Sequence, residues 1–575
     1  MKKFTTILLS LLLILAVVLT ACSSKDKEKT PDAAQDETAG EADVTTPADD
    51  LSSDDADTET PAEPTEGSEQ ELLFVLHNVP DGIDPSVTAN SFATPFLGNC
   101  FEGLVRIDAN NEVVPGMAEK WEISPDGTTY TFTLREGLKW NDGSPLTSQD
   151  FMYAFQHVLT PDTAAQYLTM LTDYVVNAQE FYDGKVEFSE VGCEAPDDNT
   201  FIITLKAPAP FYIQILTMPV YSPVQQATIE KYGKDWTLKP ESYICNGPFE
   251  ITEMKMGESV TLVKNEHYWD AANVKLEKIL YRYITDQSTA LTAFQSDQID
   301  GFRNVPNAEI MKLKAESDDI FTFPIFAHTF YVINCEKAPY NDARVRKALN
   351  LAIDRQSLID NVMNNSAKFA SGLIPPGYSY DGKDYIEGRS SYDITANANV
   401  EEARKLLAEA GYPGGEGFPT MKLAYYTDPQ VKLLAEAIAQ MLTENLEINV
   451  DISTKEWAVY FDEIKAGDYE VSALGWTADY LHPMTFFPMY KTGDYTNYSR
   501  YSNPAYDELL AQIQSEVDPA KALVKMHEAE DLLMEDSPFL SLYYGSTTMM
   551  MKPYVKGWFL SALGVLSFRD AYIEK

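Results

Sequence analysis

Between Val400 and Leu474 the chain alternates helical and strand periods: helix over Val400 to Ala410, strand over Lys422 to Tyr426, helix over Val431 to Leu442, then strands over Ile448 to Ile452 and Glu470 to Leu474. Helices between strands cover the sheet as the chain returns, so this region reads as α/β with a parallel or mixed sheet. In open sheets of that class, ligands collect at the loops leaving the carboxyl ends of strands. The last of these strands leads into Gly475-Trp476-Thr477-Ala478-Asp479-Tyr480-Leu481-His482-Pro483-Met484. Asp479 is the single carboxylate in that aromatic and apolar run. A buried anion there is costly unless something positive pairs with it. The nearest basic residue upstream is Lys465, so the partner comes from elsewhere in the fold or from a ligand. The competing reading makes Asp479 a turn cap before Pro483 or the partner of a distant Arg.

The first half is built differently. Strand is expected over Glu71 to Leu76, helix over Thr94 to Gly103, and a hairpin over Trp121 to Ser124 and Tyr130 to Leu134 around Pro125-Asp126-Gly127. That hairpin makes antiparallel sheet. Further elements are a helix over Ser148 to His157 and strands at 201–205, 249–254, 259–264 and Lys278 to Ile284, with a helix over Ser288 to Ser296. Strand over Thr329 to Asn334 and helix over Asp342 to Ile353 follow, so the architecture changes near Ile325. Toward the end come a helix over Lys521 to Met534 and a strand over Phe539 to Tyr544 that carries the chain back to the first half.

From Ser23 to Gln70 there is no aromatic residue, only a composition rich in Asp, Glu, Thr, Ala, Ser and Pro. Such a segment cannot bury a core, so 22–70 is expected to be a disordered acidic tether with an r.m.s. reach of roughly 40 Å. Ahead of it, Met1-Lys2-Lys3, an apolar run from Ile7 to Leu19 and Leu19-Thr20-Ala21-Cys22 follow the plan of a signal peptide over 1–21. The formal net charge of -44 opposes nucleic-acid binding, which rests on Lys and Arg neutralising phosphates, and opposes adhesion to anionic lipid. The 33 Tyr suit wet recognition surfaces as well as packing. Cys100, Cys193, Cys245 and Cys335 lack metal-ligand spacing; they suffice for at most two disulfides, in three possible full pairings, or remain buried thiols.

Together these passages resemble the oligopeptide-binding lipoproteins of bacterial ABC importers. The resemblance rests on the lipobox at Cys22, on Asn246-Gly247-Pro248-Phe249 with His267-Tyr268-Trp269, on Tyr340-Asn341-Asp342-Ala343-Arg344-Val345-Arg346-Lys347-Ala348-Leu349 and on Gly475-Trp476-Thr477-Ala478-Asp479-Tyr480. It runs from about residue 72 to the end. It implies a periplasmic-binding-protein-like α/β fold: two lobes joined by a hinge of crossing strands, with an additional inserted α+β domain. The first lobe would comprise 72–101, 226–326 and 543–575, the inserted domain 102–225 and the second lobe 327–542. Cys22 would carry the lipid that anchors the chain outside the cell membrane, and two acyl chains suffice for stable anchoring. The protein would be a monomer without cofactor or metal that passes oligopeptides to ABC permease subunits. Asp479 would meet the peptide's α-ammonium, and backbone groups at Gly475, Trp476 and Thr477 would pair with the peptide as an added strand. Tyr167 in the inserted domain and Asn90 and Ser91 on the first lobe would touch the ligand too.

Relatives selecting very short peptides carry an Arg two residues before the motif glycine, where this chain has Ala473; a nearby basic position is Ile464, leaving Lys465 as the adjacent cation. Thr477 stands where the family motif has Cys. The scaffold leaves open other solutes, such as a nickel chelate, a dipeptide or a sugar, and a peptide-signal receptor. Catalysis finds no support in motifs: His527-Glu528 lacks the second His of a zinc-peptidase helix, and Gly414-Gly415-Glu416-Gly417 lacks the Lys of a phosphate loop.

Overall fold

A computed structural model describes residues 70–575 except 89–90, 381–382, 388 and 390–391. The expected signal peptide, the tether, the lipidation site Cys22 and the candidate contact Asn90 lie outside the described residues.

One sheet of eleven strands runs through the described body. In chain order its main strands are β1 (Glu71–Leu76), β2 (Phe249–Lys255), β3 (Ser259–Lys264), β4 (Lys278–Tyr283), β5 (Gly301–Arg303), β6 (Ile320–Ile333), β7 (Met421–Tyr426), β8 (Val450–Lys455), β9 (Val471–Thr477) and β10 (Phe539–Met551). Their spatial order is β8-β7-β9-β6-β10-β5-β1-β4-β3-β2, and the short strand Lys368–Phe369 pairs with β10. The α/β reading of the second half holds: β7 is parallel to β8 and β9, while β9 is antiparallel to β6. The first half is mixed too, since β1 is parallel to both β4 and β5.

β6 and β10 are far longer than local pattern suggests. They pair antiparallel from Ile320↔Met550 to Val332↔Phe539, with register shifts between Pro324 and His328 and between Thr329 and Phe330. One end of this ribbon joins β5 through Gly301↔Met551, and the other joins β9 through Ile333↔Val471. Contact there is close: a Cβ at Gly301 would lie 2.7 Å from Met551 Sδ.

Helices close over the second half for local reasons. Pro429–Leu446 opens with Asp428 accepting from the Gln430 and Val431 amides and Pro429 in its first turn, then buries Leu434, Ile438, Leu442 and Leu446 at i, i+4 spacing. Its stripe joins Tyr331, Leu349, Leu423 and Val471 in one apolar cluster. Elsewhere a separate four-stranded antiparallel sheet orders Ala118–Ile123, Thr129–Leu134, Thr200–Thr204 and Cys193–Asp197. In its second strand Tyr130, Phe132 and Leu134 alternate inward, as the sequence period requires. The four cysteines in the described body are free, Cys335 half-buried and the others buried.

Candidate functional site

The site begins on β9. Val471 to Leu474 are buried, whereas Gly475 and Thr477 are exposed. The strand continues through Thr477 instead of ending at Leu474, because Thr329↔Gly475, His328↔Trp476 and Ala327↔Thr477 extend its pairing with β6. Its other edge is matched by β7 only at Leu423↔Val471 and Ala424↔Ser472. Next, the Tyr460 hydroxyl, from helix Trp457–Ala466, donates to the Ala473 carbonyl at 2.7 Å. Beyond that cap, among the described residues, no strand covers the edge from Leu474 to Thr477. A bare strand edge of this kind is a template for an added strand.

Asp479 lies two residues past β9. Its approach is fixed by Ala478 N donating to Phe326 O at 2.7 Å and by Asp479 N donating to Thr485 Oγ1 at 3.0 Å. The Tyr167 hydroxyl donates to Asp479 Oδ1 at 2.9 Å. The side chain keeps some accessible surface, yet protein surrounds it on nearly every side. Burial therefore pushes its carboxyl up from 3.8 to about 6, against the opposing hydrogen bonds of Tyr167 and Thr485. No ion pair among the described residues includes Asp479. The partner missing from the sequence neighbourhood is missing among the described residues as well.

Aromatic rings supply the rest of the enclosure. Tyr378 is buried, stacks on Phe326 with centroids 3.7 Å apart, and leaves its hydroxyl without a hydrogen-bond partner. Phe211 stacks on Tyr480 and, at 4.9 Å, on His482, while Thr169 Oγ1 lies 3.3 Å from the Tyr495 hydroxyl. The segment carrying Tyr167 and Thr169 thus meets the segment from Tyr480 to Tyr495 around Asp479. His482 Nδ1 accepts from Met484 N at 3.2 Å and caps the turn Pro483–Thr485; burial pushes its imidazole down to about 3. It is a neutral capping residue. No cluster of potential metal ligands occurs among the described residues.

Ser91 and Thr477 both line a cavity of ≈ 270 Å³ with His77, Asn78 and Arg303. That cavity brings together two of the residues selected from sequence. Trp476 is half-buried, and its indole N–H has no partner. Ala473 and Ile464 are buried, and Lys465 pairs at 2.6 Å with Asp462 of its own helix. Sequence reasoning missed Tyr378, Thr485 and Arg303. Pro375-Pro376-Gly377 announces a turn before Tyr378, but nothing local aims Tyr378 or Arg303 at the cleft.

The description "Bacterial extracellular solute-binding proteins, family 5 Middle" belongs to the family model that matches residues 112–498. Dipeptide-binding protein DppE of Bacillus subtilis is 32% identical over 511 residues, covering 88% of this chain and 92% of that one. Periplasmic oligopeptide-binding protein OppA of Salmonella typhimurium is 34% identical over 461 residues, covering 80% and 84%. The crystal structure of Haemophilus influenzae OppA in complex with RPPGFSPFR is similar with a TM-score of 0.73 and 30% identity, covering 88% of this chain and 100% of that one. The two-lobed α/β fold expected from the sequence is the fold that this chain shares with that structure.

Proposed function

Because the chain belongs to the family 5 bacterial extracellular solute-binding proteins, we propose that it captures oligopeptides outside the cytoplasmic membrane and hands them to an ABC importer. The observation that carries this reading is Asp479, a desolvated carboxylate with no ion-pair partner among the described residues, placed just past an open strand edge. A free peptide supplies both missing parts. Its α-ammonium pairs with the carboxylate beside the Tyr167 hydroxyl, and its backbone fills the edge at Gly475, Trp476 and Thr477. Recognition through main-chain groups suits a carrier of varied sequences. The peptide-bound relative and the oligopeptide- and dipeptide-binding relatives support this ligand class.

The proposed division keeps 72–101, 226–326 and 543–575 as the first lobe, 102–225 as the inserted domain and 327–542 as the second lobe. Its support is the β6/β10 ribbon, the separate sheet between Ala118 and Thr204, and an apolar cluster drawn only from residues 331–543. Closure of the lobes over peptide would present the loaded form to the permease. Lipidation at Cys22 and a monomeric state complete the assignment. Among the described residues Asp479 bonds to the hydroxyls of Tyr167 and Thr485 and to no His, Lys or second carboxylate that could serve as a general base beside them, which favours binding over catalysis. His482 serves as a cap and gives a nickel chelate no support.

Calorimetry with a peptide and its N-acetylated form tests the assignment. Acetylation is expected to abolish measurable binding, because it removes the only cation available to Asp479. Equal affinity for the two forms would overturn the ammonium reading, and cleavage of the peptide would overturn the assignment as a carrier.

A further inference from the structure

Arg303 ends β5, held between β1 through Val75↔Phe302 and β10 through Arg303↔Met549. Among the described residues its guanidinium makes one hydrogen bond, from Nη1 to the Gly564 carbonyl at 2.9 Å. No ion pair among the described residues includes it, and no neighbouring charge offsets its burial. The other interior arginines differ. Arg355 is met by the carbonyls of Ser541, Ile353 and Asn350, and Arg346 by those of Asp536 and Tyr340. Arg303 instead lines the ≈ 270 Å³ cavity shared by Ser91 and Thr477.

Among the described residues that line it, the cavity has no Asp or Glu, although the chain carries 88 acidic residues. Its size is near the lower bound for small-ligand pockets, roughly 300 Å³. His77 shares the lining, with Nδ1 and Nε2 each 2.6 Å from a carbonyl oxygen, of Ile284 and of Arg303 respectively. Thr477 stands two residues before Asp479 and lines this cavity, so a peptide paired with the Gly475 to Thr477 edge, as proposed, would lie beside it. A guanidinium with unused donors in a desolvated pocket matches a planar carboxylate.

We propose that Arg303 receives a carboxylate of the bound peptide, making the chain selective for acidic groups at one point along its ligand. The inference rests on the peptide reading above, and supplies the cation that Ala473 and Lys465 do not. The carboxylate comes either from an Asp or Glu side chain or from the peptide C-terminus.

Two peptide series separate these sources by calorimetry on the purified protein. In one, Asp is moved through each position and compared with Asn; in the other, a free C-terminus is compared with its amide. The wild type is expected to lose about ten- to hundredfold in affinity on neutralisation in one series. Arg303→Gln, which keeps an N–H for Gly564, is expected to erase that preference, so that acidic and neutral members of the series bind it alike, and Arg303→Lys to restore part of it. Equal wild-type affinity throughout both series overturns the proposal, as does a uniform loss across all peptides in Arg303→Gln, which marks a purely structural tether. N-acetylation, run alongside, keeps the parent reading separate: sensitivity to acetylation without sensitivity to acidity removes only the Arg303 role. Failure of the wild type to bind any peptide removes both.

Discussion

Replacing Asp479 with Asn is expected to make the empty protein more stable and the peptide complex weaker. The carboxyl rises from 3.8 to about 6 on folding, so the folded state holds its proton more tightly than the unfolded state. The empty fold therefore carries a destabilising buried anion above pH 6, and the penalty is relieved as pH falls through 6 toward 3.8. At 1.36 kcal/mol per pH unit the penalty is at most about 3 kcal/mol at pH 8, an upper bound because the side chain keeps some accessible surface. The Asp479→Asn variant lacks this anion, so its gain over wild type should be largest at pH 8 and vanish by about pH 4. Peptide reverses the sign. Breaking a buried pair typically costs about 3–5 kcal/mol, or two to three orders of magnitude or more in Kd. Denaturant unfolding of both proteins at pH 8 and pH 4, empty and with saturating peptide, measures the two effects together. A variant less stable than wild type when empty at pH 8, yet unchanged in peptide affinity, would refute the argument.

The other expectations concern the parts that hold Asp479 in place. Peptide affinity of the wild type should fall as pH drops below about 6, since protonation removes the charge that pairs with the ammonium; a calorimetric pH series reads it, and a flat profile from pH 8 to 5 would count against the pairing. Tyr167→Phe removes the 2.9 Å bond to Oδ1 and should weaken peptide binding by about 1.5–3 kcal/mol, the range for hydrogen bonds to charged groups, with far-UV circular dichroism unchanged. Glu530→Ala should destabilise the fold by about 2 kcal/mol or more in denaturant unfolding: the buried carboxylate accepts from Leu373 N at 2.8 Å, Ile374 N at 3.2 Å and the Tyr385 hydroxyl at 3.0 Å, and its loss strands those donors. The loop it fixes carries Tyr378, so binding should weaken too.

What could be read from the residues follows the range of the forces involved. Asp479 was visible because desolvation and the absence of nearby Lys or Arg are both local properties of a sequence. The inward alternation of Tyr130, Phe132 and Leu134 is local as well, and so is the stripe from Leu434 to Leu446. β6 was legible only from Thr329, because Pro324 interrupts the strand pattern and the first residues are ordered by pairing with β10 more than two hundred positions away. The helix Trp457–Ala466 escaped for a related reason: Glu456 makes no side-chain cap, and Trp457 and Val459 are exposed, which blurs its apolar face. The helix Pro504–Ser515 did carry a start signal, Asn503 followed by Pro504, that went unread. Arg303 and Tyr378 owe their positions to tertiary packing alone.

The bare edge from Leu474 to Thr477 has a consequence for the company this protein keeps. On an outer surface such an edge would recruit other sheets and seed aggregates. Here its last residue, Thr477, lines a cavity with Ser91 and Arg303, and Tyr480, stacked with Phe211, follows three residues later, so other parts of the chain stand close to its far end. Under the proposed function, what pairs with the edge is an extended chain, the form of polypeptide that offers a free strand. A carrier working in that way would sort cargo by state of folding before it sorts by composition.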